Sequence, residues 1–155
     1  VIGAPKEGGH TERLIKKLNL NKRVTFKTGI TKDQIAQEYA KSSVAIVSSL
    51  YEGFGYPVAE AMSCSIPLVA TDIASIPEIT DNFATLIPPK NSDAISDSVR
   101  KIFLEPDLYN EIAAKGRIHI QNKFNWQTIG MQYEALMNKV IKNHKPIIKG
   151  NNANF

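Results

Sequence analysis

Two glutamates, Glu52 and Glu60, flank a glycine-rich loop and are the residues of this chain best suited to chemistry. Between them lie Gly53, Gly55 and Pro57. Glycine allows a positive φ or a close approach of the backbone to a ligand. Proline fits the first helical position, where its missing N–H costs nothing. The sequence therefore predicts a tight loop that opens into a helix.

A buried strand is predicted directly before this loop. The run Val44-Ala45-Ile46-Val47 is short, apolar and β-branched, which is typical of a strand buried on both faces. After the loop, Ala59 to Met62 are good helix formers. The first N–H groups of a helix have no partners within it and carry about half a positive charge. A phosphate is the expected ligand of such a helix end.

The two glutamates are expected to bind hydroxyl groups, because two carboxylates beside a diphosphate would repel it. Glu52 would lie at the carboxyl end of the strand, where open α/β sheets bind ligands. Glu60 would lie one turn into the helix and lean back toward the same crevice. A carboxylate that accepts from two vicinal hydroxyls suits a ribose or a hexose. Taken singly, Glu52 also fits a solvated loop residue, and Glu60 a first-turn acid that favours the helix dipole.

The composition is that of an ordinary globular domain, with 155 residues, 43% hydrophobic and 22% charged. No apolar run is long enough to cross a bilayer, and no secretory signal pattern is present. The single Cys64 excludes an internal disulfide and favours a reducing, cytoplasmic compartment. Because no Cys or His cluster has metal-ligand spacing, no metal or other cofactor is expected. The net charge of +4 favours anionic ligands without naming one.

Strands and helices alternate along the chain, which predicts an α/β, Rossmann-like parallel sheet with helices on both faces. Thr31 and Ser92 are predicted helix caps. The predicted strands cover residues 1–3, 24–26, 44–47, 67–70 and 84–87. One predicted helix covers residues 11–18, and three more begin at residues 31, 57 and 92. A further helix runs from residue 106 to about 123, and a final amphipathic helix extends through residue 140.

Read in order, these residues resemble the donor-binding domain of retaining glycosyltransferases of family 4, which have the GT-B fold. The family pattern Ser-x-x-Glu-Gly-Phe-Gly-x-Pro-x-x-Glu-Ala is matched from Ser49 to Ala61. The resemblance covers residues 1–141 and implies the C-terminal half of a GT-B fold that lacks its first strand and helix. Three further segments carry it: Val24-Thr25-Phe26-Lys27-Thr28-Gly29, Pro67 to Glu78, and Phe124-Asn125-Trp126.

The resemblance implies a donor-binding domain at residues 1–145, in an enzyme that moves a sugar from a nucleotide-diphosphate sugar to an acceptor hydroxyl with retained configuration. It gives Glu52 the catalytic position beside the reacting carbon and Glu60 the ribose hydroxyls. Members usually bind no metal, and the leaving phosphate itself assists deprotonation of the acceptor. The other implied contacts are Glu52, Gly53, Phe54 and Gly55 with the donor sugar, Tyr56, Pro57 and Val58 with the diphosphate, and Gly29 and Ile30 with the base.

The acceptor domain of the family, and the basic pair that its first donor-domain helix sets against the diphosphate, have no counterpart in these residues. The chain begins without Met and inside an element, which suggests a piece of a longer protein. Its expected partners are a nucleotide sugar, an N-terminal acceptor domain and an unknown glycan, lipid or small-molecule acceptor, with no nucleic acid. Alone, the chain is expected to bind donor at most. A non-catalytic nucleotide-sugar-binding or scaffold module, and an epimerase of the same fold, are the alternatives.

Several single residues carry weaker expectations. Residues 146–155 are expected to be a disordered tail, and the lysines from 139 to 149 to be solvated or to touch the inner face of a membrane. Trp126 is expected to be a core or interdomain anchor, His119 a helix-surface residue and Tyr51 a packing residue. Cys64 is expected to be a small buried side chain. Ser65 stands where the family usually has glycine.

Overall fold

The computed structural model describes residues 1–143, so the predicted tail at 146–155 lies outside the described residues. Its sheet is parallel, with the order β1 (Ala45–Val47), β2 (Leu68–Thr71), β3 (Thr85–Ile87). Ala45 pairs with Leu68 and Val69 with Thr85. The predicted α/β fold with a parallel sheet is confirmed. The helices are α1 (His10–Lys17), α2 (Lys32–Ala40), α3 (Tyr56–Ser63), α4 (Ile76–Thr80), α5 (Ser92–Leu104), α6 (Pro106–Lys123) and α7 (Trp126–Asn143).

The core lies on both faces of β2, whose four residues are all buried. On one face, Leu68 and Ala70 pack with buried side chains of α3 and α4. On the other face, Val69 packs with Ile102 of α5. Alternate residues of one strand point to opposite faces, so a strand covered by helices on both sides must be apolar throughout. This arrangement positions the β1–α3 loop at the carboxyl end of the sheet.

The strand β1 differs from the prediction that it is buried on both faces. Ala45 and Val47 are buried, but Ile46 is 47% exposed. On the side away from β2, a cavity of about 580 Å³ separates β1 from Val1 and Ile2. The side chain of Ile46 lines this cavity, which explains its exposure.

The predicted strands at residues 1–3 and 24–26 are not formed. Instead, Ile2 makes one isolated parallel bridge with Lys27, through Gly3 N–H to Lys27 O (2.9 Å) and Lys27 N–H to Val1 O (2.9 Å). Two strand segments paired only with each other are marginal, because a stable sheet needs further strands. The two segments therefore remain a bridge beside the main sheet.

Two helix starts refine the predictions. Thr31 caps α2 as predicted, through a full capping box with Gln34. The cap of α5 is Asn91 and not Ser92, since the Asn91 side chain accepts from Ala94 N–H (3.0 Å).

Among residues 1–143, no helix combines the length and apolarity that a membrane span requires.

Candidate functional site

The loop between β1 and α3 ends in a left-handed glycine that starts the helix. Gly55 is the N-cap of α3, with φ 94° and ψ 48°, and its carbonyl accepts from Val58 N–H (3.0 Å) and Ala59 N–H (3.1 Å). The helix begins at Tyr56, so Pro57 is its second residue and not its first. This geometry turns the chain sharply from the loop into the helix.

The loop contains a run of backbone amides without a protein acceptor, of which that of Gly55 belongs to a buried residue. Within residues 1–143, the amides of residues 53–56 have no protein acceptor. The helix dipole adds partial positive charge at the same place. Such a set of donors can bind an anion or ligand hydroxyls.

The three residues assigned to a diphosphate differ in what they can donate. Tyr56 has a free amide, whereas Pro57 has no N–H and the Val58 N–H already bonds to the Gly55 carbonyl (3.0 Å). The Val58 side chain is fully buried. Direct donation to an anion at this helix end therefore falls to Tyr56 and to the loop before it.

Glu52 is half-buried and held in place by the loop itself. Ser49 Oγ donates to Glu52 Oε1 at 2.7 Å. The Ser49 carbonyl in turn accepts from Thr71 Oγ1 at 2.6 Å, and Thr71 is buried at the end of β2. The carboxylate of Glu52 keeps further lone pairs for a ligand. Neither Ser49 nor Thr71 was predicted to support the site, although Ser49 belongs to the matched motif.

Glu60 is exposed on α3 and borders two cavities. One, of about 520 Å³, lies between α2, α3 and the α6–α7 junction. The other is the cavity of about 580 Å³ beside β1, which Pro57 and Lys27 also line. Lys27 pairs with Glu38 at 3.5 Å, which places a cation beside the candidate site.

Tyr39 of α2 lies behind Glu60 and joins two elements of the site. Its hydroxyl donates to the Pro57 carbonyl at 3.3 Å. Burial, and secondarily the negative charges of Glu60 and of the Cys64 thiol once it ionises, raises the pKa of Tyr39 to about 12. Burial also raises the pKa of the Cys64 thiol, and Glu60 adds to the effect while Arg117 opposes it. Cys64 is thus a thiol kept protonated, which packs against the core but is only partly buried and lines the 520 Å³ cavity, so it is less enclosed than expected.

Aromatic side chains anchor the loop from the other side. The Phe54 ring packs against Tyr56 (centroids 5.1 Å apart) and edge-on against Phe124 (5.5 Å). Trp126, at the start of α7, is 82% exposed and lines the 520 Å³ cavity, so it is not a core residue. Tyr51 is likewise 82% exposed and does not pack as expected.

His119 is not the surface residue that its position on a helix suggested. It is half-buried, its Nε2 lies 3.1 Å from the Ile79 carbonyl oxygen, and its ring packs against Phe83. It thereby ties α6 to α4.

The structure does not bring all the predicted residues into one cavity. Phe54, Tyr56 and Glu60 line the 520 Å³ cavity, while Glu52 and Gly53 line neither of the two. Gly29 (φ 64°) and Ile30 are also outside both cavity walls; they precede the cap of α2, whose Lys32 lines the first. Among residues 1–143, no three His, Cys, Asp or Glu side chains are grouped as metal ligands would be.

One family and several relatives match this chain. The family described as "Glycosyl transferases group 1" matches residues 1–119. The MMP alpha-(1->4)-mannosyltransferase of Mycolicibacterium hassiacum is 30% identical over 136 residues, and the match covers 86% of this chain and 33% of that protein. The chain thus spans about a third of the length of this curated relative.

Solved structures share the fold. Sucrose-phosphate synthase from Thermosynechococcus elongatus superposes with a TM-score of 0.80 and 26% identity, over 92% of this chain and 38% of that one. The Anabaena protein HepE, solved in complex with UDP-glucose, superposes with a TM-score of 0.76 and 23% identity, over 83% of this chain and 36% of that one. At the latter identity the likeness concerns the fold alone.

Proposed function

Because the chain belongs to the glycosyl transferases group 1 family, we propose that it is the donor-binding domain of a retaining glycosyltransferase. Its ligand is a nucleotide-diphosphate sugar, and the longer protein transfers that sugar to an acceptor hydroxyl. The observation that carries the proposal is the run of free amides at residues 53–56, flanked by Glu52 and Glu60. A similar fold that binds UDP-glucose in HepE supports this ligand class.

The proposed roles follow from what each group can donate or accept. Glu60 accepts from the ribose hydroxyls, and Glu52, oriented by Ser49, accepts from hydroxyls of the donor sugar near the reacting carbon. The amides of Phe54 and Gly55 bind the sugar, and the amide of Tyr56 binds the diphosphate. Gly29 and Ile30 flank the base. Catalysis then rests on positioning and on stabilising charge on the leaving diphosphate, without a bound metal.

The whole protein's partners belong to the same proposal. An acceptor domain, supplied by chain beyond these residues, would close the site from the other side and bring the acceptor. The 155 residues alone would then bind donor without transferring it. A cytoplasmic location, at the inner face of a membrane where the acceptor is a lipid, is part of the proposal.

The test is ligand-observed NMR of the folded chain with UDP-, GDP- and ADP-sugars, each compared with its nucleoside diphosphate. A hydrogen bond to a charged group is worth about 1.5 kcal/mol or more. Glu60→Gln is therefore expected to weaken binding of the sugar nucleotide and of the nucleoside diphosphate alike, by about tenfold. Glu52→Gln is expected to weaken binding of the sugar nucleotide only. Glu134→Gln, which makes the same charge change on an exposed face of α7, is the matched control.

The pattern of losses decides the outcome. Binding of one nucleotide class, with the two glutamates affecting different parts of the ligand, supports a donor site with divided roles. No binding by the folded chain at millimolar ligand would refute the proposed function for these residues. Equal losses for Glu134→Gln and Glu60→Gln would show that only net charge matters.

A further inference from the structure

A serine outside the matched motif holds the β1–α3 loop through a hydrogen bond to its backbone. Ser75 lies at the start of α4, and its Oγ–H donates to the Phe54 carbonyl at 2.9 Å. The Glu52 carbonyl lies 3.5 Å from the same oxygen and is a weaker second acceptor. Because a hydroxyl has a single proton, the bond to Phe54 is the principal one.

This bond fixes the direction of a donor. A peptide unit is planar and trans, so its C=O and N–H point in opposite directions. When Ser75 holds the Phe54 carbonyl toward α4, the N–H of Gly55 in the same peptide unit points away from α4. That amide is one of the free donors of the loop.

Ser75 stands on a rigid support. Ile76 and Ile79, which follow it in α4, are fully buried in the core. Ala74, directly before it, has φ 45°, a left-handed conformation that costs a non-glycine residue free energy. Packing of α4 therefore maintains a backbone turn that local preferences oppose, and this turn directs Ser75 at the loop.

We propose that Ser75 is a positioning residue, which orients the Phe54–Gly55 peptide for the sugar of the donor. The inference rests on the proposed function, because it takes this loop as the sugar-binding end of the site. It adds a contact from the start of α4, a helix that carries none of the predicted site residues. Ser49 and Thr71 orient the Glu52 carboxylate, whereas Ser75 orients the backbone amides.

The first test needs no ligand. Amide resonances of Gly53 and Gly55 are compared by ¹H–¹⁵N NMR in the chain and in Ser75→Ala, Ser75→Thr and Ser63→Ala. Ser63 is a matched control, because its hydroxyl also donates to a backbone carbonyl, that of Ala59 (2.7 Å). Ser75→Ala is expected to shift and broaden both glycine amides, Ser75→Thr to restore them, and Ser63→Ala to leave them unchanged. Unchanged glycine amides in a folded Ser75→Ala overturn the inference.

The second test separates positioning from general stability. UDP-glucose, GDP-mannose and ADP-glucose are titrated against UDP, GDP and ADP. Loss of one oriented hydrogen bond predicts that Ser75→Ala lowers the preference for the sugar nucleotide over its nucleotide by about three- to tenfold, and that Ser75→Thr recovers it. If Ser75→Ala weakens binding of the sugar nucleotide and of its nucleotide equally, Ser75 has a merely structural role and the inference is overturned. If the folded wild-type chain binds none of the six, the proposed function fails, and the glycine amides alone decide whether Ser75 orders the loop.

Discussion

Replacing Gly55 by alanine should destabilise the chain, because the loop needs a backbone conformation that only glycine adopts cheaply. Gly55 has φ 94°, and a non-glycine residue pays about 1–2 kcal/mol in left-handed conformations. An added Cβ would meet Ile79 Cδ1 at 3.4 Å, an ordinary contact, so the cost is conformational and not steric. Alanine also restricts the unfolded chain more than glycine does, which raises the free energy of unfolding by about 0.4–1 kcal/mol. The expected net loss is about 0–1.6 kcal/mol, or about 0.8 kcal/mol at the middle of the two ranges.

The neighbouring glycine provides the matched control. Gly53 lies in the same loop, has no positive φ, and an added Cβ there would meet no atom within 4 Å. Gly53→Ala restricts the unfolded chain equally, so this term cancels between the two variants. Their free energies of unfolding should therefore differ by about 1–2 kcal/mol, with Gly53→Ala the more stable.

Urea denaturation followed by circular dichroism measures this difference directly, since one substitution in one loop should leave the m-value unchanged. Equal stabilities of the two alanine variants would refute the reasoning, because they would mean that the loop relaxes to a negative φ at Gly55. That result would also remove the turn on which the free amides of the site depend.

Three other predictions follow from the same structure. Ser65→Gly should stabilise the chain by about 0.5 kcal/mol or more, since Ser65 has φ 55° after α3; a lower urea midpoint would contradict it. Tyr39→Phe should flatten the decline of stability at high pH: burial raises the folded-state pKa to about 12, so the phenol's contribution is complete below its ordinary pKa of 10 and is lost as pH rises from 10 toward 12. Identical urea midpoints against pH for both proteins would exclude this. Gly116→Ala should be less stable than Gly130→Ala, although both lie inside helices, because a Cβ at Gly116 would meet Phe83 Cβ at 3.0 Å while one at Gly130 meets nothing within 4 Å. Thermal unfolding of the two variants gives the comparison, and a Gly116→Ala variant as stable as Gly130→Ala would show that α6 can shift.

The elements with strong local signals could be predicted from the sequence. The helix from Pro106 to Lys123 has both ends at the predicted residues, because proline marks its start and its apolar spacing continues to its end. Apolar runs also located all three strands of the sheet. The exposure of Ile46 could not be predicted, because a β-branched apolar run looks the same whether or not a neighbouring strand covers it. The left-handed turns at Ser65 and Ala74 carry no glycine, so their own residue types gave no signal, and at Ser65 only the glycine usual in the resembling family pointed to such a turn.

The candidate site was predictable as a loop but not as a network. The motif gave the sequence position of Glu52 and Glu60 and the glycines between them, and their ligand roles remain predictions. The supports of the loop come from other elements: Thr71 from the end of β2 and Ser75 from the start of α4. These contacts depend on the packing of elements distant in sequence, which no spacing rule reports. The same limit applies to His119, whose helical position concealed its contact with Ile79.

The two glutamates differ in how far the fold restricts them, and this difference bears on specificity. Ser49 fixes the Glu52 carboxylate, and Ser75 and Phe124 hold the Phe54 segment of the same loop. The Glu60 carboxylate, by contrast, is exposed between two cavities and has no hydrogen-bond partner within residues 1–143. Groups held before binding lose less entropy when the ligand arrives and discriminate more sharply by geometry. If the proposed function is right, the sugar end of this site is pre-organised while the nucleotide end adapts. Substitutions that loosen the Glu52 loop should then relax sugar selectivity, and substitutions around Glu60 should change affinity for every nucleotide tested.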